Sequence, residues 1–550
     1  MNALHSLLTR GDPMQTLRLN RQHHTTLLYT GPQSPVVRRQ RFTIGAILFV
    51  LLVAPLKLIA HENHHHDDVT LNTLDDLGDV NFVISCDDDA QNAMNVGLAL
   101  IHHMMYAQAE SHFSEWMEST PHCAMMYWGY SMTLFHPLWP DKISDDALSR
   151  GSAALTAAKG LEASEREHDF IDAASAYYDD WAQRKEGQRI ENWADAQKAL
   201  YEKYPKDVDA LAFYALSLLV TAPKNDPEFS QNKAAGELLA SIYNGKPRHP
   251  GALHYTIHAY DNPALAELAI EPARAYDKIA PDVPHALHMP SHIFVRLGMW
   301  EDAIDWNARS AKAALKYPTK NQTSMHYAHA LDYLVYAYLQ EAEYAKANAV
   351  IRNMQTHHPM QANFPVAYAL STIPARASLE QKQWEIASQL AVRSPAYIQW
   401  DNFPQVEAIT YFSRGIGAAR NNDIAGAQAA LKQLNTLYEK TLTSSPDYWA
   451  VLVDAQRKSV SAWLLYAQGE KKKALGLMRT AADLEDSVDK NPVTPGAVLP
   501  ARELLGDMLL LEEEYVAALE AYQECLQINR GRLNSLEGMQ LVQAGMQANL

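Results

Sequence analysis

The strongest constraint on this chain is a helical period of about 34 residues that recurs from near residue 90 almost to its end. Small residues and aromatics alternate at fixed intervals along it. Gly97 is followed by Ala109 and Phe113, and Gly506 by Ala518 and Tyr522. The small residues let two helices of a hairpin approach closely, and the aromatics fill the gap to the next hairpin. Such a hairpin cannot bury its apolar face alone and must stack on neighbours. Strand signals are nearly absent: Val/Ile/Thr alternation bounded by Asn-Gly or Asp-Gly turns hardly occurs. With 47% hydrophobic residues and only 23 glycines among 550, the chain reads as all-α with an ample core.

The period and its residues resemble the tetratricopeptide repeat, with small residues at positions 8 and 20, a bulky one at 24 and proline near 32. Copies are carried by Ala269, Ala273, Tyr276 and Pro281, by Gly298, Trp300 and Ala303, and by Tyr344, Ala347 and Pro359. Further copies are carried by Ala427 and Leu431, by Gly469 and Ala474, and by Gly506, Tyr515, Ala518 and Tyr522. The match is looser over 140–250, where Ala210, Leu211 and Tyr214 follow Pro205. The resemblance implies a right-handed α-solenoid of stacked helical hairpins over 85–545, with loops or joints at 221–230 and 489–500.

The first sixty residues differ. A basic tail (1–41) containing Arg10, Arg18, Arg21, Arg38, Arg39 and Arg41 precedes an apolar run (42–60) broken only by Pro55 and Lys57. This reads as an export signal with cleavage near Ala60. The same run, about 18 residues long, also suits an uncleaved anchor. The arginines would then stay cytoplasmic and the acidic body would cross. Either way the solenoid is expected outside the cytoplasm, periplasmic or anchored to the cytoplasmic membrane. A His/Asp-rich linker (61–84) follows, and its HENHHHDD tract (His61 to Asp68) is either a solvated tail or a metal scavenger. A net charge of −17, spread over helix faces, argues against a nucleic-acid partner.

Two histidine pairs stand out. His254 and His258 lie in HPGALHYTIHAY, and His288 and His292 in PHALHMPSHIFVRLGMW, one repeat length further on. The i,i+4 spacing puts each pair on one helix face. In tetratricopeptide proteins, positions 2, 5, 9, 12 and 13 of the first helix line the concave groove. With Pro281 at position 32, His254 and His258 take positions 5 and 9, and His285, His288 and His292 take 2, 5 and 9 of the next repeat. With Tyr344 at position 17, His329 takes position 2 and Asp332 position 5 of the repeat after that. Neighbouring helices pack about 8–10 Å apart, so imidazoles from both can converge on one ion. Three or four neutral imidazoles suit Zn, Cu, Ni or Fe, and Asp332 could complete or orient the site. A polar ligand groove without metal, or histidines used only in packing, are the alternatives. Pro290 falls inside the proposed helix and would free the carbonyl of Ala286, kinking the helix or delaying its start. Neither pair belongs to an HExxH motif, which disfavours a zinc peptidase of that kind.

Other groups are weaker. His102, His103, Met104, Met105, Met125 and Met126 could hold Cu(I), but Met and aromatic residues at helical spacing read first as core. Glu503 and Asp507 occupy groove positions 5 and 9 and are expected to be solvated rather than an acid–base pair. Cys86 and Cys123 flank the first repeat at one end of adjacent hairpins, and a disulfide between them suits an oxidising compartment. Cys525 is expected in the core. No Ser/His/Asp elbow, phosphate loop or dinucleotide fingerprint is present, so no cofactor of those kinds is expected.

The segments CDDDAQNAMNVGLALIHHMMYAQAESHF, HCAMMYWGYSM, HPGALHYTIHAYDNP and HMPSHIFVRLGMWEDA resemble a family of bacterial exported tetratricopeptide-repeat proteins. The resemblance covers most of 80–545 and implies fold and compartment, but no activity and no catalytic residue. Two readings follow. The first is a scaffold that holds a protein or peptide segment in its concave groove. The second is a metalloprotein, and in one form a metal-dependent enzyme, that uses the groove histidines with Zn or Cu.

Overall fold

The spacing of small residues and aromatics takes physical form as rings wedged between helices. In the computed structural model, which describes residues 76–548 except 140–141, 224–225 and 358, Phe113 sits against two glycines. A methyl group on Gly97 of helix Asp88–His102 would lie 2.3 Å from Phe113 Cζ, and one on Gly129 of helix Ala124–Thr133 would lie 2.2 Å from Cε1. Phe113 itself belongs to the intervening helix Tyr106–Ser119 and is fully buried. Tyr522 repeats the arrangement, with methyl groups on Gly506 and Gly538 coming within 2.7 and 2.3 Å of its ring. Each ring therefore locks its own hairpin to the next, as the repeat requires.

Helices succeed one another along the chain, each packed mainly on the one before and the one after. No regular strand occurs among the described residues, which hold only two isolated bridges, Thr319 with Gln322 and Thr323 with Met360. The fold is an all-α solenoid of helical hairpins. Helix starts follow local chemistry: Asp87 caps Asp88–His102 by accepting from the Ala90 amide, and Ser164 with Glu167 forms a capping box.

Three departures from a plain array bear on function. Residues 77–84, expected as the end of a linker, are built into the core. Leu77 and Phe82 are fully buried, with Phe82 stacked 5.3 Å from Trp128 and under the Arg166 guanidinium at 4.3 Å. The helix carrying the second histidine pair is interrupted at Met289 into Pro284–His288 and Pro290–Leu297, where Pro290 has no amide hydrogen to continue the ladder. Finally, the far end of the chain turns inward. Trp300 Nε1 donates to the Gly531 carbonyl at 3.0 Å, and Arg532 is fully buried between Glu503 and Glu380. Glu503 is consequently buried rather than solvated, and Asp507 is half-buried. Glu503 receives both Arg532 Nε and Nη2 at 2.7 and 2.8 Å, and Asp507 accepts from Tyr522 at 2.8 Å.

The Sγ atoms of Cys86 and Cys123 form a disulfide, and Cys525 is buried. The basic tail, the apolar run 42–60 and the HENHHHDD tract lie outside the described residues. Among the described residues no helix is long and apolar enough to cross a membrane.

The wedge predicts a sharp contrast between glycines. Gly129→Val forces the Phe113 ring to move and should cost about 1–3 kcal/mol in a urea titration. Gly476→Ala, with open space around it, should instead stabilise helix Lys471–Asp486 by about 0.5–1 kcal/mol.

Candidate metal centre

The histidines come together, though not as four ligands around one point. They divide into two triads. His254 and His258 of helix Pro250–Tyr260 join His285 of Pro284–His288. His288 joins His292 of Pro290–Leu297 and His329 of Met325–Gln340. Within each triad one ligand nitrogen per ring lies within 4.8 Å of the others. The division falls within the short helix Pro284–His288, where His285 and His288, three residues apart, turn to different triads, while His288 and His292 stay together across the break at Met289.

In the first triad the nitrogens are conspicuous for what they lack. His254 Nδ1 lies 2.6 Å from the His102 carbonyl oxygen, so it carries the hydrogen and donates, leaving Nε2 as a lone pair. His254 Nε2, His258 Nε2 and both nitrogens of His285 are buried without any protein hydrogen-bond partner. A buried polar atom left unpaired costs about 1–3 kcal/mol, and this cost is concentrated at one place.

In the second triad the tautomers are set by neighbours. Asn307 Nδ2 donates to the Ala303 carbonyl at 2.7 Å, so its Oδ1 faces His288 Nδ1 at 2.8 Å as acceptor. His292 Nδ1 lies 2.9 Å from Asp261 Oδ2. Both Nδ1 atoms therefore bear hydrogen. The two Nε2 atoms face each other at 3.0 Å as lone pairs. That opposition is repulsive unless a cation or a proton sits between them.

A proton is disfavoured by burial. Desolvation holds His254, His285, His288 and His329 well below the ordinary imidazole range, with like-charged neighbouring rings adding to it. Burial likewise lowers His292, against the opposing pull of Asp261, and takes His258 down to about 3.

Asp261 orients the second triad and ties down its cover. Burial works against its charge, yet Lys490 and Arg296, with His292, hold its carboxyl well below the usual range. Lys490 Nζ lies 2.9 Å from it, and Arg296 bridges Asp261 at 2.9 Å to Asp489 at 2.6 Å. Tyr333 Oη lies 3.0 Å from the carbonyls of both Pro492 and Thr494. These contacts draw the segment 487–500 across the histidines. The six rings are thus buried or nearly so and do not line an open groove. A small pocket remains, walled by His258, His285, His292 and His329 together with Trp139 and Met289.

Asp332 takes no part. It is buried behind the triad with Oδ1 3.6 Å from Arg376 Nε, and the next residue, Tyr333, presents its ring to His288 at 4.6 Å. Burial raises the Asp332 carboxyl against the opposing charge of Arg376.

A third cluster, His102, Asp209 and His249, has similar spacing but different chemistry. His249 Nδ1 accepts from the Ala252 amide at 3.2 Å as a helix cap, so Nε2 must carry hydrogen, and it points at Asp209 Oδ1 from 3.6 Å. His102 is satisfied by Tyr255 and Asp209 at 3.0 and 3.3 Å, and His103 by Tyr276 and the Leu77 carbonyl at 2.9 and 3.0 Å. Met104, Met105, Met125 and Met126 are fully buried. These are core contacts.

Sequence reasoning missed Asp261, Asn307, Tyr333, Lys490 and His326. His326 was within reach: it stands three residues before His329, on the same helix face, and its ring lies 5.2 Å from that of His285 at a tilt of 51°. The others come from distant segments, Lys490 being 229 positions from Asp261.

No protein-family model matches the chain, and no curated protein does. Among solved structures, yeast Tom70 aligns over 84% of this chain and 96% of its own, at 14% identity and a TM-score of 0.34. The P58(IPK) TPR domain aligns over 84% and 99%, at 13% and 0.21. Naa15/Naa10 bound to HypK-THB aligns over 84% and 84%, at 11% and 0.25. Values this low have no bearing on function, and the fold assignment rests on this chain's own helices.

The buried rings give a signed pH dependence. Burial takes His103 and His258 to about 3 and His326 to about 4, whereas in the unfolded chain they protonate near 6.5. Between those values the unfolded state binds the extra proton. The stability tied to neutral rings is therefore full above pH about 6.5 and is lost as pH falls toward about 3–4. Denaturant titrations of chelator-treated protein should show unfolding free energy falling by about 1.4 kcal/mol per pH unit for each such ring. A flat profile would mean the rings are solvated.

Proposed function

We propose that this protein binds transition metal through the two histidine triads, and that the metal keeps a coordination position open toward the pocket. The carrying observation is the set of buried imidazole nitrogens without partners in the first triad, at His254 Nε2, His258 Nε2 and His285. The second triad supports the same reading through its opposed lone pairs. Three neutral imidazoles suit Zn or Cu. Hydrogen bonds from the other ring nitrogens, to the His102 carbonyl, Asn307 and Asp261, are the outer contacts that orient metal-binding histidines. Three protein ligands beside a pocket fit a reactive or ligand-binding centre better than a closed structural one, which takes four. A metal there supplies Lewis acidity and a lowered pKa for bound water.

A stacked-hairpin fold is also an architecture that binds proteins, and a scaffold role is the second reading. It rests on the fold alone. The inward-turned segment 487–500 occupies the face where a groove-held peptide would meet positions 5 and 9. A peptide partner would have to dock elsewhere or displace that segment. Export or anchoring through residues 42–60 is part of the proposal and rests on the sequence.

Metal analysis of tag-free, full-length protein with His61, His64, His65 and His66 changed to Ala tests the metal reading without the flexible tract. At least one equivalent of Zn or Cu should co-purify and disappear in the His258→Ala, His292→Ala double variant, with the helical circular dichroism spectrum kept. Metal present at 100 times its Kd should stabilise the fold by about 2.7 kcal/mol over chelator-treated protein. Absence of metal, with stability indifferent to added zinc or copper, would sink the reading.

A further inference from the structure

Resting on that reading, the geometry points to one dinuclear centre in which the two triads hold a pair of ions that share a small anionic or oxygen-donor ligand.

Three observations carry it. First, rings of different triads come within about an ångström of the spacing inside a triad, where His254–His285 is 5.0 Å and His288–His292 4.9 Å. His258 and His292 are 6.0 Å apart and His285 and His288 6.1 Å, against 4.9 Å for His254–His258 and 6.4 Å for His292–His329. The triads are contiguous, with no intervening layer of side chains between those ring pairs. Second, both face the same space. The pocket is walled by His258 and His285 of one triad and by His292 and His329 of the other, so a molecule entering it meets both. The rest of its wall is largely apolar, with Leu138, Trp139, Met289, Met325, Pro365 and Val493. That lining favours a small occupant held by the ions rather than by side-chain hydrogen bonds.

Third, the charge does not balance without one. All six ligands are neutral imidazoles. Among the described residues the carboxylate in contact with a ligand ring is Asp261, and it is already opposed by Arg296 and Lys490. Two divalent ions would leave net positive charge in a buried site, where uncompensated charge is costly. An anion between the ions, hydroxide in the simplest case, offsets it. Two-metal sites of this kind clamp a ligand between ions about 3.5–4 Å apart.

Copper(II) alone is the probe, added to the full-length chain lacking the four tract histidines. Two copper ions per chain are expected. Their integrated electron paramagnetic resonance intensity should fall well below the copper content, because a shared ligand couples the two spins. His285→Ala should remove one ion and restore full intensity for the other. His329→Gln, on the opposite triad, should do the same and guards against misfolding of the first variant. Two ions at full intensity would overturn the shared centre while leaving metal binding intact, as would a single ion in the parent protein. No bound copper would overturn both readings.

Discussion

Burying the Asp261 carboxylate obliges much of this structure to be as it is. A charged group removed from water is tolerated only with well-placed partners, and Asp261 takes three: Arg296, Lys490 and His292. Arg296 follows His292 by four residues, so one helix face supplies both. Lys490 comes from the segment that crosses the site, and Asp489 beside it completes the Arg296 fork. The ion cluster is therefore also a clasp. It draws 487–500 over the histidines, removes them from solvent and keeps their rings neutral. Neutral, desolvated imidazoles are what a metal requires as ligands, so one buried charge cluster sets both the cover and the chemistry.

Legibility from the sequence was uneven for physical reasons. The hairpin array was readable because its determinants are local: Gly97, Phe113 and Gly129 act through contacts within about one repeat, as do Gly506, Tyr522 and Gly538. The histidines of each pair were readable for the same reason, since i,i+4 spacing on a helix is a short-range fact. Their grouping was not. The first pair recruits His285 and the second recruits His329, so that His285 and His288 of one short helix serve different triads. Asp332 lies three residues from His329 and points to Arg376, while Tyr333, four residues on and about 100° further round the helix, meets the triad. Glu503 and Asp507 look solvated from repeat register alone. Glu503 is buried because Arg532 returns from beyond the last regular hairpin, a contact invisible to any periodic pattern, and Asp507 is half-buried against Tyr522 and Arg420.

The three clusters of similar spacing show why proximity is a poor criterion without tautomers. His102, Asp209 and His249 lie as close together as either triad. Yet the Ala252 amide fixes the His249 hydrogen on the nitrogen that would have to bind metal, and Asp209 answers it. His102 and Asp209 there are hydrogen-bonded, and His249 Nε2, without a hydrogen-bond partner, faces the Asp209 carboxylate at 3.6 Å. In the first triad the outward nitrogen of His254 is engaged by the His102 carbonyl and the inward one is left bare. The satisfied cluster thus supports the unsatisfied one, because the helix end that His102 occupies supplies the acceptor that orients His254.

The location of the centre follows from the same logic. Positions 5 and 9 of a stacked-hairpin array face its inner surface, where side chains ordinarily meet water or a partner. Here the chain's own inward-turned segment meets them instead. This exchanges a long, adaptable groove for a small, partly covered space, and the exchange carries an energetic cost: several imidazole nitrogens are buried without partners, at about 1–3 kcal/mol each. A fold that keeps such groups together sacrifices stability at that point. Metal coordination is the interaction able to offset it, since the bare lone pair of each ring would gain a ligand bond of a kind a water-filled groove does not provide. The local instability of the metal-free site and the affinity of the loaded one are then two aspects of a single arrangement, and anything that loosens the clasp on Asp261 should weaken both together.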